Sequence, residues 1–433
     1  MFEKMLRVSC VALLLCPAIW AQQSGLPDPL SGKSMQPVLG GESKTQNILT
    51  TTVHVSTEVD DNALNASTNK VTDSISRFDP TFAWDVSRTR WSFDGSYTPG
   101  FSYSVELPRY RNFSNATQES MNVRLAKHLS LRLQNNFIRT SDPFDRLTFG
   151  QNEQDVSVLD RTNLSYLGRP TLYTRNQSGL DLTYMPAAHT TVGISGNYAM
   201  TLYDDLLAGA GSNRDTHMAS GRVFVDQKLS PRQSVSAAYS YSVITSGVYG
   251  RTAVDSILLF DNWQLKSKLT LSLFAGPEYT VMHLGSTLSP IPLSSGWSWS
   301  AGGTFGWQGD MTGASFSAVR RVSDGGGLGG AVQLTDLSAA LTRRMSKKWQ
   351  TEFHVNYAIN GSNEYSALSR SINYMSSGVR VTRQITEKIS LDAQYNYTHT
   401  DKTYSGAIPS YFLADHNRVS VGVSYAFSNR LGL

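Results

Sequence analysis

The sequence predicts an all-β chain: a transmembrane, antiparallel up-and-down β-barrel of about 18 strands, with 16 the next count. Three observations carry that expectation. Long stretches alternate apolar and polar residues with period two, short charged turns recur every 40 residues, and no apolar run past residue 21 reaches the roughly 18 residues a spanning helix needs. A mean hydropathy of −0.26 likewise excludes a bundle of membrane helices. With 40% hydrophobic and 17% charged residues, the 433-residue chain is also too apolar for a disordered protein.

The first 21 residues read as a secretory signal. Lys4 and Arg7 form a basic start, Val8 to Leu15 an apolar stretch, and Ala18-Ile19-Trp20-Ala21 places a small residue before the expected cut at Gln22. Leu13-Leu14-Leu15-Cys16 has the outline of a lipidation site but lacks the small residue before the cysteine, so cleavage after Ala21 is preferred. Both cysteines, Cys10 and Cys16, fall inside this segment, which excludes disulfide scaffolds, thiol catalysis and cysteine metal sites in the rest of the chain. Removing Lys4, Arg7 and Glu3 changes the formal charge from +4 to +3. So small a charge on so long a chain has no phosphate-binding footprint, and no nucleic acid is expected as a partner.

Residues 22–45 are rich in Ser, Gly, Pro and Gln without periodicity and read as a flexible N-terminal leader. The barrel is expected over 46–428, with a short tail over 429–433. Trp349, Thr351, Phe353, Val355, Tyr357 and Ile359 share one parity, while Gln350, Glu352, His354, Asn356 and Asn360 share the other. Ile389, Leu391, Ala393, Tyr395 and Tyr397 alternate in the same way with Ser390, Asp392, Gln394, Asn396 and Thr398, and so do the leucines 129, 131 and 133 with Ser130, Arg132 and Gln134. Turn positions Leu269, Gly309, Trp349 and Ile389 are each 40 residues after the last. A propeller blade would pack four short strands into that length, whereas each period here holds two strands of ten residues or more. Alternation slips near 251–265, 331–345 and 370–385, as at Asp336-Leu337, where either a bulge or a miscounted strand is expected.

The last strand carries a resemblance. Ser420-Val421-Gly422-Val423-Ser424-Tyr425-Ala426-Phe427 is similar to the closing strand of bacterial outer-membrane barrels: a polar residue, a glycine two on, then alternating apolar positions ending in Phe. The tail after Phe427 departs from that pattern, in which the aromatic more often stands last. The resemblance implies a porin-like protein of the Gram-negative outer membrane, with membrane lipid and the barrel-assembly machinery as partners, and homo-oligomers as in the trimeric porins. It names a location, not an activity.

Aromatic residues at strand ends, among them Trp91, Trp263, Trp307 and Trp349, fit the interfacial girdles of such barrels. The wet parity supplies a pore-lining set: Arg124, Arg132, Asp181, Glu352, His354, Asp392 and Arg418, with His54, Asp85, Asp94 and Glu278 on the same parity. Both charge signs occur, so neither cation nor anion preference follows, and each residue has the alternative of being an ordinary solvated side chain. Residues 141–176 form the longest predicted loop, well beyond the usual limit of about 12 to 15 residues. Asp142, Asp145, Arg146, Glu153, Asp155, Asp160 and Arg161, with Arg169 and Arg175, form either an inward constriction or a surface loop with its own hairpin. His354, Glu352 and Asn356 are the nearest approach to a catalytic group, but their spacing is that of plain alternation. HExxH, GxSxG and GxxxxGK[ST] are absent, so neither enzyme nor cofactor is expected. The expected function is passive passage of small polar solutes through the lumen; the alternative is a scaffold whose long loops bind a partner or surface.

Overall fold

The structure is a computed structural model. It describes residues 46–430 apart from 65, 108–111, 141–171, 204–214, 247–249, 285–290, 324–331, 363–368 and 406–409. The first strands are β1 (Gln46–Asp60), β2 (Asp73–Ser87), β3 (Trp91–Ser104), β4 (Asn112–Ala126), β5 (Leu129–Thr140) and β6 (Tyr173–Ala187). Then come β7 (Thr190–Tyr203), β8 (Thr216–Ser230), β9 (Gln233–Ser246), β10 (Gly250–Lys266), β11 (Leu269–Leu284) and β12 (Ile291–Gln308). The last are β13 (Thr312–Ser323), β14 (Val332–Arg344), β15 (Trp349–Ser362), β16 (Ser369–Gln384), β17 (Ile389–Ser405) and β18 (Ser410–Arg430). All neighbours pair antiparallel, and β18 pairs with β1 from Ile48↔Arg430 to Asp60↔Arg418. This last pairing closes an 18-strand up-and-down barrel. Closure leaves no sheet edge, and in hydrocarbon every backbone amide must find its partner inside the protein.

Register assigns the two faces. Thr51, Phe82, Tyr97, Thr117, Phe137 and Asn176 form one cross-strand row on the outside, and the intervening residues of each strand point in. Over most of the circumference the outer face is apolar. Val55, Phe78, Ile194, Val223, Ile257, Leu259, Phe316, Phe353 and Val421 are among the exposed large side chains. A surface of this kind is stable only against lipid. Trp91 and Trp349 open their strands at the short-turn end, Trp307 and Trp263 sit close to it, and all four point outward. The turns at that end are tight, with bonds such as Arg88 N to the Trp91 carbonyl at 2.8 Å and Gly309 N to the Thr312 carbonyl at 2.7 Å.

Several boundaries differ from the sequence reading. β18 continues to Arg430, because Asn429 and Arg430 pair with Leu49 and Ile48, so the expected tail shrinks by two residues. The first long connection spans 61–72, since β1 and β2 remain paired up to Asp60↔Asp73. Of the three irregular segments, β10 has a register shift between Gln264 and Lys266 against β11, whereas β14 and β16 pair with their neighbours without one. At Asp336-Leu337 there is no bulge: Asp336 points inward and is buried while Leu337 faces out. The apparent slip arises because Val332 and Leu334 are apolar yet inward, and Leu334 packs with Ala358 and Tyr374. The proposed leader and signal lie outside the described residues.

Candidate functional site in the barrel interior

The interior holds three groups of side chains. At the seam, Glu58 and Asp60 of β1 meet Arg77 of β2 and His416 and Arg418 of β18. Arg418 Nη1 is 3.3 Å from Glu58 Oε1, Arg418 Nη2 is 3.3 Å from Asp60 Oδ2, and Arg77 Nη2 is 3.3 Å from Glu58 Oε1. His416 Nε2 contacts Asp60 Oδ1, which also accepts the Asn62 backbone N–H at 2.9 Å. All five lie on inward parity, because strand pairing puts residues 58 and 60 beside Ser420 and Arg418. Arg418, expected as a lining residue, is therefore held in an ion-pair network that ties the closing strands.

Beside the seam, Asp392 of β17 is 3.3 Å from His54 Nε2 and 3.4 Å from Arg380 Nη2. His54 reaches across β18 because Gly422 has no side chain; a Cβ there would stand 2.4 Å from His54 Nε2. The glycine of the C-terminal motif thus also makes room for an interior contact. Gly422→Val is expected to displace His54 from Asp392 and to lower stability by about 1–2 kcal/mol, the scale of a lost charged contact. Denaturant midpoints of the refolded barrel check this, and an unchanged midpoint would deny the contact any weight.

The third group lies on the wall from β5 to β13. Arg132 stands across from Asp181, and Asp181 accepts the Ser195 hydroxyl at 2.6 Å. Arg222 of β8 is 5% exposed, its guanidinium carbon 5.1 Å from the Phe224 ring centroid and 5.2 Å from that of Phe260. None of its three nitrogens has a hydrogen-bond partner among the described residues. Phe224, Ala238, Leu258, Phe260, Phe274 and Val319 form one buried cluster on this inward face. Two of the rings lie directly over glycines: a Cβ on Gly193 would be 2.3 Å from Phe224 Cζ, and one on Gly302 2.6 Å from Phe274 Cε1. The result is an aromatic wall carrying a guanidinium with unused donors, suited to stacking and hydrogen bonding with a polar solute.

Of the remaining sequence-predicted residues, Arg124, Glu352 and His354 are also on inward parity, Arg124 close to the short-turn end and Glu352 accepting the Gln350 amide at 2.7 Å. Glu352, His354 and Asn356 lie at alternate positions along β15, and Asn356 donates to Asp336 at 3.0 Å. Arg175 and Asn176 belong to β6 rather than to the long loop, because β5 and β6 stay paired up to Thr140↔Tyr173. Asp142, Asp145, Arg146, Glu153, Asp155, Asp160, Arg161 and Arg169 lie outside the described residues. Arg222 and its phenylalanines were missed by the sequence reading, which took apolar parity as outward. The one signal was Ile257-Leu258-Leu259-Phe260, apolar on both parities, with Phe274 as a second irregularity.

No family model matches the chain, and no curated protein does. Among solved structures it is similar to Pseudomonas aeruginosa OpdQ, with a TM-score of 0.43 and 9% identity over 88% of this chain and 99% of that one. It is also similar to Pseudomonas aeruginosa OpdO, at 0.44 and 9% over 88% and 97%, and to Pseudomonas aeruginosa OpdK with vanillate, at 0.43 and 11% over 88% and 99%. The closed antiparallel 18-strand barrel described above, apolar outside and charged within, has the architecture of an outer-membrane-type transmembrane β-barrel.

Proposed function

We propose that the barrel is a channel for passive passage of small polar solutes across the outer membrane, reached after removal of residues 1–21. The observation that supports this reading is the interior. Charged and hydrogen-bonding side chains, Arg132, Asp181, Arg222, Glu278, Asp392 and Arg418 among them, face inward from strands all around the barrel. An 18-strand barrel is too wide for side chains alone to fill, and barrels of 16 to 18 strands enclose an aqueous channel. Residues 141–171 are proposed to narrow it, with Asp142, Asp145, Arg146, Glu153, Asp155, Asp160 and Arg161 as the charged rim.

Planar-bilayer conductance of the refolded, signal-free protein tests both parts. Steady conductance that at least doubles when 141–171 is replaced by a short Gly/Ser linker is the expected result. Folded protein that never conducts, in either form, would refute the channel and favour the scaffold alternative. Conductance indifferent to the loop would refute only the constriction.

A further inference from the structure

The outer face is not apolar everywhere. On β4 the outward parity reads Asn115, Thr117, Glu119, Met121 and Val123; on β6 it reads Asn176 and Ser178 before Leu180 and Leu182. One cross-strand row runs Gly95, Glu119, Asn135, Ser178 over β3 to β6. Glu119 is the middle residue of the 15-residue β4, so this row crosses the centre of the belt that elsewhere carries Val55, Ile257, Phe316 and Phe353. Lipid tails cannot solvate a carboxyl or a carboxamide, and such a group in the hydrocarbon zone needs a polar partner.

Part of the demand is met locally. The Ser178 hydroxyl donates to Asn135 Oδ1 at 2.7 Å, the Asn176 amide to Ser178 Oγ at 3.3 Å, and the Tyr97 hydroxyl to Asn115 Oδ1 at 2.9 Å. Asn135 uses only its acceptor in these bonds, and no cation stands beside Glu119 among the described residues. Next to the row, Gly196 of β7 and Gly221 of β8 pair directly with each other, and a Cβ on either would meet nothing within 4 Å. They form a notch in the outer surface where another backbone can approach closely, as small residues permit at membrane interfaces.

We infer that the outer face of β4 to β8 is the surface on which a second copy of this chain docks, polar strip against polar strip. Three constraints select that occupant. It must reach the middle of the hydrocarbon layer, which excludes soluble and periplasmic partners. It must offer donors and acceptors at the same depth, and copies related by an axis along the membrane normal present identical depths automatically. It must match the amides of Asn115, Asn135 and Asn176 and the hydroxyls of Thr117 and Ser178, which both donate and accept, and it must bring a donor to Glu119, which the same amides and hydroxyls of a second copy supply.

Crosslinking in intact membranes tests this, helped by the absence of cysteine from the barrel. Asn135→Cys treated with a bismaleimide is expected to yield a product with the mass of an oligomer of this chain. Leu337→Cys, on an outward position of β14 far around the barrel, is expected to yield none. The triple change Glu119→Leu, Asn135→Leu, Ser178→Ala, shown to be folded by its heat-modifiable gel mobility, is expected to raise the dissociation constant in detergent at least tenfold by light scattering. A monomer in membranes, a product containing a different protein, equal crosslinking at Leu337→Cys, or an oligomer untouched by the triple change would each overturn the inference.

Discussion

Replacing Arg418 by leucine is expected to destabilise the barrel by about 3–5 kcal/mol, the cost of leaving a buried charge without its partner. Arg418 spans Glu58 and Asp60, which are 5% and 1% exposed, and its loss leaves two carboxylates to share Arg77 and His416. The affected pair of strands, β1 and β18, is the one that closes the ring, so the loss falls on the contact of longest sequence separation in the fold. Forming that contact carries a high loop-closure entropy. Slower refolding is therefore expected with the lower denaturant midpoint, and both are read from heat-modifiable mobility in detergent. A midpoint change equivalent to less than about 1 kcal/mol would mean that lumen water screens this network as it screens a surface pair.

Arg222→Glu is expected to lower the anion-to-cation permeability ratio about tenfold, corresponding to roughly 1.4 kcal/mol between the two signs, well within the Coulomb energy of a charge a few ångströms from a passing ion. The residue sits on the aromatic wall with no hydrogen-bond partner for its guanidinium among the described residues, so reversing its sign changes the field without breaking a salt bridge of its own. Asp181 is the opposite charge that acts on it electrostatically, and a parallel Asp181→Asn variant is expected to shift the ratio the other way. Reversal potentials in a salt gradient provide the measurement. No change for either variant, in protein that conducts, would remove this wall from the conduction path.

Much of the fold was legible in the amino-acid order because a barrel strand is its own record: its two faces meet different solvents, and residues of opposite preference must alternate. Ile389 to Thr398 and Trp349 to Asn360 showed this most clearly, and both are paired strands with the expected faces. Errors arose where that assumption fails. Val332 and Leu334 looked like a parity slip because they are apolar and inward, Leu334 packed with Ala358 and Tyr374. Leu258, Phe260 and Phe274 hid the aromatic wall for the same reason. In the reverse sense, Asn115, Glu119, Asn135 and Ser178 are polar and outward, and a reading that assigns polar residues to the lumen passes over them.

The amino-acid sequence by itself determined the class, a count of about 18 strands with 16 still open, and which residues of most strands face in, since period-two alternation and the spacing of turns are local properties of the chain. Tertiary structure alone decided which inward residues meet. Arg418 reaches Asp60 across more than 350 positions, His54 reaches Asp392 past Gly422, and Arg222 stacks on Phe260 because β8, β9 and β10 lie in a particular register. Those juxtapositions depend on closure and stagger of the ring, set by all eighteen pairings together, and no window of sequence contains that information.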